Sequence, residues 1–242
     1  NQLGQPIKGT HPNNSGQSIL DYLLEGKDTI PEDRGIFLNK TYRLHSKINN
    51  FISSNFYEER LICDERADKR VIHFNKNSMI KDSGIHFIEM KHENNIQTSL
   101  EEFEVVNKLM KQMMGSDYED NGKKRKLNVE DFLIISPYNT QVNLLISKLE
   151  EAKIKNPKVG TIDKFQGQEA PITIISMTSS DSDSLPRNKE FFFSRNRLNV
   201  AISRAQVASI ILFNPLLLDS SPKNLDHIKL MNNFFKFLNY KI

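Results

Sequence analysis

Val159-Gly-Thr-Ile-Asp-Lys-Phe-Gln-Gly-Gln-Glu169 and the apolar run Ile172-Thr-Ile-Ile175 after it decide the fold class of this 242-residue chain. The first stretch reads as a strand that runs into a glycine turn carrying an amide and a carboxylate. The second reads as a short strand that is buried on both faces. A third stretch, Asn196-Arg-Leu-Asn-Val-Ala-Ile-Ser-Arg-Ala205, reads as a helix that presents arginines. A glycine turn followed by such a helix is suited to gripping a polyphosphate.

Apolar patterns extend this alternation of strands and helices along most of the chain. Strands that are apolar throughout and separated by helices predict an α/β fold, with a parallel sheet covered by helices on both faces. Ligands of such sheets bind at the carboxyl ends of the strands, so we expect the motifs to lie there. Ser99 and Glu102 also form a capping-box pattern before one helix. Strand patterns occur at residues 85–90, 132–135, 172–175 and 209–213, and helical spacings occur at 44–52, 103–113, 142–149, 198–205 and 228–238.

Composition and charge set broad limits on the kind of protein. A net charge of +3 does not by itself indicate a nucleic-acid binder. Cys63 is the only cysteine, which excludes an internal disulfide framework and favours a reducing, cytoplasmic compartment. No apolar run is long enough to span a bilayer, so we expect no membrane partner. The chain begins with Asn rather than Met, and we expect a fragment of a longer protein.

Two polar stretches, residues 115–128 and 179–195, are predicted to be surface loops. The first contains the basic run Lys123-Lys-Arg-Lys126, which either is solvated or guides a phosphate backbone. The histidines and methionines are scattered and show no metal-ligand spacing, so the sequence predicts no metal site of its own.

Three further motifs occur in order with the two opening ones, and they are Gln2-Leu3, Thr41-Tyr-Arg-Leu-His45 and Ser136-Pro-Tyr-Asn-Thr-Gln141. With these five motifs, the chain resembles the C-terminal motor domain of superfamily 1 helicases over nearly its whole length. The resemblance is strongest to the branch of the nonsense-mediated-decay helicase and the replication nuclease–helicase, including motors fused to a RecB-like nuclease. It implies a RecA-like parallel sheet over residues 1–242, the second of two motor domains, with residues 1–34 as the linker from the first.

The phosphate-binding loop of the P-loop NTPase fold is missing from this sequence. The pattern G-x-x-x-x-G-K-[ST] does not occur, and Gly26-Lys27 lacks both the first glycine and a preceding strand. Asp64-Glu65 follows only the short apolar pair Ile62-Cys63, so we interpret it as a surface charge pair. The resemblance therefore implies half of an ATP site, with the lysine, the Mg²⁺ ligands and the water-activating carboxylate in an upstream RecA-like domain.

Two arginines are the candidate catalytic residues. Phosphoryl transfer spreads negative charge over the equatorial oxygens, and arginine forks stabilise that charge. The resemblance assigns Arg43 and Arg204 to the γ-phosphate of ATP and places Tyr42 under the adenine ring. The alternatives are a core Tyr42 beside a solvated Arg43, and a salt-bridged surface Arg204. Arg197 lies seven residues before Arg204 on the predicted helix, and it is left open between a site role and a structural ion pair.

Three more residues are candidates for binding the nucleotide. A carboxylate can accept hydrogen bonds from both ribose hydroxyls, and the resemblance assigns Glu169 to the ribose. The alternative for Glu169 is an exposed acidic turn residue. Gly167 lets the backbone approach the phosphates without a side chain in the way. The resemblance makes Gln2 a sensor of the γ-phosphate through its amide.

Three polar residues are candidates for contacting nucleic acid. Hydroxyls and backbone amides commonly hold nucleic-acid phosphates. The resemblance implies that Thr161, Tyr138 and Asn139 contact the backbone of a single strand. The alternative is that these residues satisfy turns or cap helices. Asp163 and Phe165, which lie near Thr161, are interpreted as structural.

The resemblance implies the C-terminal half of an ATP-dependent helicase or translocase that uses Mg²⁺ and binds single-stranded DNA. DNA is favoured over RNA, and a link to DNA repair is expected, only through the nuclease-fused relatives. A fused RecB-like nuclease is a further expected partner. Two other classes stay open: a non-catalytic nucleic-acid-binding module, and an unrelated α/β protein that binds nucleotide without a second domain.

Overall fold

The computed structural model describes residues 19–24, 26–181, 194–218 and 232. These described residues form ten strands and six helices. The strands are β1 (Lys40–Thr41), β2 (Ile62–Cys63), β3 (Arg70–His73), β4 (Gly84–Glu89), β5 (Asp117–Asp120), β6 (Lys123–Lys126), β7 (Phe132–Ile135), β8 (Val159–Gly160), β9 (Ala170–Ser176) and β10 (Ala205–Phe213). The helices are α1 (Ile19–Leu24), α2 (Ser46–Phe56), α3 (Glu65–Asp68), α4 (Leu100–Met113), α5 (Asn139–Glu151) and α6 (Arg195–Ile202). Short 3-10 turns cover Val129–Asp131 and Pro215–Leu218.

Five of the strands form one parallel sheet in the order β4–β10–β9–β7–β8. β9 is buried along its whole length, and β10 is buried except at Gln206. Side chains alternate between the two faces, so the central strands contribute to two apolar clusters. One cluster includes apolar residues of α2 and α6, and the other includes those of α4 and α5. The predicted RecA-like architecture, a parallel sheet with helices on both faces, is therefore confirmed.

At the start of α4, Ser99 caps the helix, whereas the side chain of Glu102 packs into the interior. The Ser99 hydroxyl accepts a hydrogen bond from the backbone N–H of Glu102 at 3.1 Å, as an N-cap should. The predicted capping box is only half formed, because the Glu102 side chain is fully buried instead of returning to Ser99. Its carboxylate accepts hydrogen bonds from the Ser176 hydroxyl at 2.5 Å and the Thr178 N–H at 2.9 Å. Glu102 therefore ties α4 to the carboxyl end of β9.

The prediction of a surface loop at residues 115–128 is wrong, because β5 and β6 form an antiparallel hairpin in this segment. β5 also pairs with β3, which gives a separate three-stranded sheet. Asn121 and Gly122 make the two-residue turn, with φ angles of 49° and 85°. These left-handed values match the twist of hairpin strands. The basic run Lys123–Lys126 is therefore an exposed edge strand.

The arginine-bearing helix is shorter than predicted. α6 ends at Ile202, and Ser203 and Arg204 form the turn that leads into β10. Arg204 therefore lies off the helix and does not share a helix face with Arg197. The apolar spacing continued through Ala205 because that residue begins a buried strand.

Several expectations concern residues that the structure does not describe. Gln2, nearly all of the predicted helix at 228–238 and most of the predicted loop at 179–195 lie outside the described residues. Among the helices that are described, none has the length and apolar character needed to cross a membrane.

Candidate functional site

Three of the predicted nucleotide residues meet at the amino end of the parallel sheet. Arg43 follows β1, Glu169 immediately precedes β9, and Arg204 immediately precedes β10. The Nε of Arg43 donates a hydrogen bond to Oε2 of Glu169, across 126 positions of sequence. The backbone N–H of His45 donates to the Gln206 carbonyl at 3.0 Å and holds the segment after β1 against the start of β10. We call Arg43, Glu169 and Arg204 the arginine–glutamate cluster.

The expectation that all motifs lie at the carboxyl ends of the strands is wrong for this cluster. Glu169 and Arg204 stand before their strands, whereas Ser136 follows β7 and Thr161 follows β8. The candidate nucleotide residues and the candidate nucleic-acid residues therefore occupy opposite ends of the sheet.

Arg43 is held by its side chain and by its backbone. Besides the bond to Glu169, its Nη1 donates to the carbonyl of Ser203 at 3.3 Å. The carbonyls of Tyr42 and Arg43 accept hydrogen bonds from Nη1 of Arg70 at 3.0 and 2.8 Å. About a third of the Arg43 side chain, 34%, is exposed, so the guanidinium is oriented but accessible. The alternative of a core Tyr42 beside a solvated Arg43 does not fit, because Tyr42 is 53% exposed.

Glu169 has two hydrogen-bond donors and remains ionised at neutral pH. Nε2 of Gln206 donates to its Oε1 at 2.8 Å, and Arg43 donates to its other oxygen. Partial burial acts to raise the pKa of this carboxyl, but the hydrogen bonds from Arg43 and Gln206 outweigh burial, so the pKa is lowered. Glu169 is exposed at the turn, as the alternative expected, but its carboxylate is paired and oriented.

Arg204 is the most buried member of the cluster, with 9% of the residue exposed. Its Nη1 donates to the carbonyl of Gln168 at 3.3 Å, while its buried Nε meets no hydrogen-bond acceptor among the described residues. Burial lowers the pKa of the guanidinium, the charge of Arg43 lowers it further, and Glu169 opposes them. Glu169 pairs with Arg43, and the buried Nε of Arg204 is left without an acceptor among the described residues, so the cluster has two cations for one carboxylate and is suited to an anion. This geometry does not match the alternative that Arg204 is a salt-bridged surface arginine.

Tyr42 lies beside the cluster with its ring covered by cations. The Arg66 guanidinium carbon lies 4.8 Å from the ring centroid, and Lys40 Nζ lies 5.8 Å from it. Both cations pair with Asp64, at 2.8 and 2.9 Å. The interpretation of Asp64-Glu65 as a surface charge pair is therefore wrong for Asp64, a buried residue that caps α3. The described part of the chain contains no group of three or more His, Cys, Asp or Glu side chains that could hold a metal ion.

Gly167 is a glycine because of its backbone conformation. Its φ is +83°, and a Cβ built on it would meet no atom within 4 Å. The turn that delivers Glu169 therefore needs a residue that adopts the left-handed region without strain. The space over Gly167 is open, as a backbone that approaches a ligand requires.

At the carboxyl end of the sheet, Thr161 lines a small cavity of about 50 Å³. The cavity also includes Ser136, Pro137 and Arg197. Nη1 of Arg197 lies 3.4 Å from Oδ2 of Asp163, so Arg197 forms an ion pair in this structure.

The other two nucleic-acid candidates differ in accessibility. Tyr138 is only 5% exposed, and its hydroxyl accepts a hydrogen bond from the Ser179 hydroxyl at 3.5 Å. Its ring is therefore part of the core, so only the backbone of Tyr138 is left to contact a nucleic-acid strand. Asn139 is exposed in the first turn of α5, whose N-cap supplies no side-chain hydrogen bond. The free N–H groups of that turn are suited to a phosphate.

Two contributors to the site were missed from the sequence, Arg70 and Gln206. Arg70 orients the backbone around Arg43, and Gln206 orients the carboxylate of Glu169. Gln206 directly follows the arginine-bearing motif at residues 196–205, so its position in the sequence was a usable signal. Arg70 begins a short strand that no apolar pattern marks.

The sequence of this chain is similar to those of known helicases. Residues 16–215 match a family model described as "AAA domain". The DNA polymerase alpha-associated DNA helicase A of Schizosaccharomyces pombe is 30% identical over 176 residues, 69% of this chain and 26% of the relative. The DNA replication ATP-dependent helicase/nuclease dna2 of the same species is 28% identical over 255 residues, 94% of this chain and 17% of the relative. The human RNA helicase Mov10l1 is 35% identical over 100 residues, 40% of this chain and 8% of the relative.

The matched part of the chain thus spans 26% or less of the length of each of these relatives. The family model covers most of the chain, from α1 to the turn after β10. The chain therefore belongs to this AAA-domain family, and it is homologous to superfamily 1 helicases.

Proposed function

We propose that this chain is the second RecA-like motor domain of an ATP-dependent superfamily 1 helicase or translocase and supplies half of its ATP site. The observation that carries the proposal is the arginine–glutamate cluster. Arg43 pairs with Glu169 from a distant segment, and the buried Nε of Arg204 has no acceptor among the described residues. A polyphosphate between this domain and an upstream RecA-like domain would satisfy that donor and the excess charge.

In this proposal, ATP with Mg²⁺ supplies the phosphoryl group that is transferred to water. Arg43 and Arg204 hold the γ-phosphate oxygens, and such arginine fingers are worth roughly 10³–10⁵ in rate. Glu169 accepts hydrogen bonds from the ribose, Tyr42 stacks on the adenine ring, and Gly167 leaves room for the backbone to approach the nucleotide. Arg43 must exchange Glu169 for phosphate, which frees the carboxylate for the sugar. Gln2 would sense the γ-phosphate, and the Mg²⁺ ligands would come from the upstream domain.

The opposite end of the sheet is proposed to hold part of the single-strand track. Thr161, Asn139 and the backbone of Tyr138 lie at this end, where N–H groups and a hydroxyl are available for phosphates. Rotation of the domain on ATP binding would then move the track with the cluster, because Glu169 and Arg204 precede strands of the same sheet whose carboxyl end carries the track.

Single-stranded DNA is the proposed substrate, and RNA is the second candidate because the relatives include both kinds of helicase. The similarity to a DNA replication helicase/nuclease supports a fused nuclease as a partner. A RecB-like type of nuclease and a role in DNA repair are further parts of the proposal. The site geometry itself favours neither nucleic acid.

The test is ATP turnover by the full-length protein that contains this chain, measured with and without single-stranded DNA or RNA, beside the isolated chain. We expect one nucleic acid to stimulate the full-length protein and the isolated chain to be inactive. A fluorescent ATP analogue should also bind weakly to the isolated chain, because the phosphate-binding loop is not in its sequence. Tight binding or turnover by the isolated chain would favour an independent nucleotide-binding protein. Nucleic-acid binding by the full-length protein without turnover would favour a non-catalytic module.

A further inference from the structure

We propose that the β5–β6 hairpin, residues 117–126, positions Arg43 and Glu169 for nucleotide binding through Tyr118 and Asp120. The inference rests on the proposed function, because it assigns regulation of that same site to an element outside the parallel sheet. A groove of about 400 Å³ separates the hairpin from the arginine–glutamate cluster. Tyr118, Asp120 and Glu169 all line this groove.

The first connection runs from Tyr118 to the side chain of Arg43. The Tyr118 hydroxyl donates to Oε1 of Gln206 at 3.4 Å, and Nε2 of Gln206 donates to Oε1 of Glu169 at 2.8 Å. Glu169 in turn accepts from Arg43 through its other oxygen. A Gln amide has one acceptor end and one donor end, so a donor at its oxygen keeps its nitrogen facing Glu169. Without Tyr118 the amide is free to turn its oxygen toward the carboxylate and repel it.

Tyr118 is itself held rigidly. The residue is 3% exposed, and the Arg125 guanidinium carbon lies 4.7 Å from the ring centroid. Arg125 is fixed by two hydrogen bonds to Asp131, at 2.6 and 2.5 Å. Burial raises the pKa of Tyr118 to about 12, so its hydroxyl keeps the proton that it donates at neutral pH.

The second connection runs from Asp120 to the backbone of Arg43. Oδ1 of Asp120 accepts a hydrogen bond from Nε of Arg70 at 3.3 Å. Nη1 of the same guanidinium donates to the carbonyls of Tyr42 and Arg43. The Arg70 side chain is only 15% exposed, so the fork is oriented by its partners and little by solvent. Asp120 therefore fixes the arginine that fixes the backbone around Arg43.

The hairpin's opposite face provides a contrast. Side chains alternate along β5, so Asp117 and Glu119 point away from Tyr118 and Asp120. Lys126 pairs with Asp117 at 2.8 Å, and Lys124 pairs with Glu119 at 3.5 Å. These pairs neutralise much of the basic run, which disfavours the alternative that it guides a phosphate backbone.

The test uses Tyr118→Phe and Asp120→Ala in the full-length protein, each alone, with Tyr118→Phe also combined with Glu169→Ala and Asp120→Ala also combined with Arg43→Ala. Each single variant should lower kcat/KM for ATP roughly three- to tenfold, the range expected for loss of one hydrogen bond. In the Glu169→Ala background Tyr118→Phe should not lower it further, because its effect passes through Glu169, and in the Arg43→Ala background Asp120→Ala should not, because its effect passes through Arg43. Asp117→Ala is the matched control, since it removes an ion pair from the same strand but the opposite face, and it should match wild type.

Melting temperatures of all variants show whether the fold is intact. Tyr118→Phe is the most conservative of them, because it removes only a hydroxyl. The inference is overturned if Tyr118→Phe keeps wild-type kinetics, or if it lowers kcat/KM equally with and without Glu169. An equal loss in Asp117→Ala would also overturn it, because the effect would then be general to the hairpin. Unchanged turnover in Arg43→Ala would overturn the proposed function and this inference with it, so the two failures are distinguished.

Discussion

The contact between Arg43 and Glu169 is the central feature at the residue scale. Motif order identified both residues because each carries a recognisable chemistry in a local pattern. Their pairing could not be predicted, because it depends on how segments 126 positions apart come together. The same holds for Gln206, whose amide matters only once Glu169 is beside it.

We predict that the carboxyl of Glu169 titrates below the usual value of 4.5 and that Arg43→Ala raises its midpoint. Because the folded-state pKa is lowered, the pair's contribution to stability is present at neutral pH and is lost as pH falls through the folded pKa. The check is an NMR titration of the Glu169 carboxyl carbon in both proteins. An unchanged midpoint in Arg43→Ala would show that the hydrogen bond does not set the pKa.

Gly167→Ala is predicted to cost about 1 kcal/mol of unfolding free energy, because an L-residue is strained at its φ of +83°. Gly115→Ala is a matched control, with a φ of +81° and equally open surroundings. Both variants should lose similar stability in denaturant titrations, whereas only Gly167→Ala should weaken nucleotide binding by the full-length protein. Equal nucleotide affinity in the two variants would speak against a role for the Gly167 turn.

At the element scale, apolar periodicity predicted the buried strands and the central helices because packing against the sheet requires it. It failed for the β5–β6 hairpin, whose strands are polar and whose signal was the turn pair Asn121-Gly122. It also extended α6 too far, because Ala205 fits the helical spacing although it begins β10. Tertiary context decided both cases.

The connection between α4 and β9 gives a prediction at this scale. Glu102→Ala removes the acceptor of the buried Ser176 hydroxyl and Thr178 N–H, and it should cost about 3 kcal/mol of unfolding free energy. Glu101 is exposed in the same turn, so Glu101→Ala should cost less than about 1 kcal/mol. Urea denaturation of both variants makes the comparison. Similar losses would mean that the buried carboxylate does not tie the helix to the sheet.

At the scale of the whole molecule, the sheet separates two candidate surfaces. The arginine–glutamate cluster lies at its amino end, and Thr161 and Asn139 lie at its carboxyl end. The rule that ligands bind at carboxyl ends misplaced the first surface, because it describes ligands bound within one sheet. A ligand shared between two domains is not limited to that end. The fold class followed from the apolar strands, but this separation depended on the topology.

The most direct test of the account is ATP turnover by the full-length protein carrying Arg43→Ala or Arg204→Ala. Arg34→Ala is the control, because the Arg34 side chain pairs with its neighbour Asp33 at 3.8 Å and donates to the Leu23 carbonyl at 3.3 Å, outside the arginine–glutamate cluster. The account predicts that each of the two variants lowers kcat at least about a hundredfold, since roughly 10³–10⁵ in rate is typical of arginine fingers, while Arg34→Ala matches wild type. Turnover at the wild-type rate in Arg43→Ala and Arg204→Ala would contradict it.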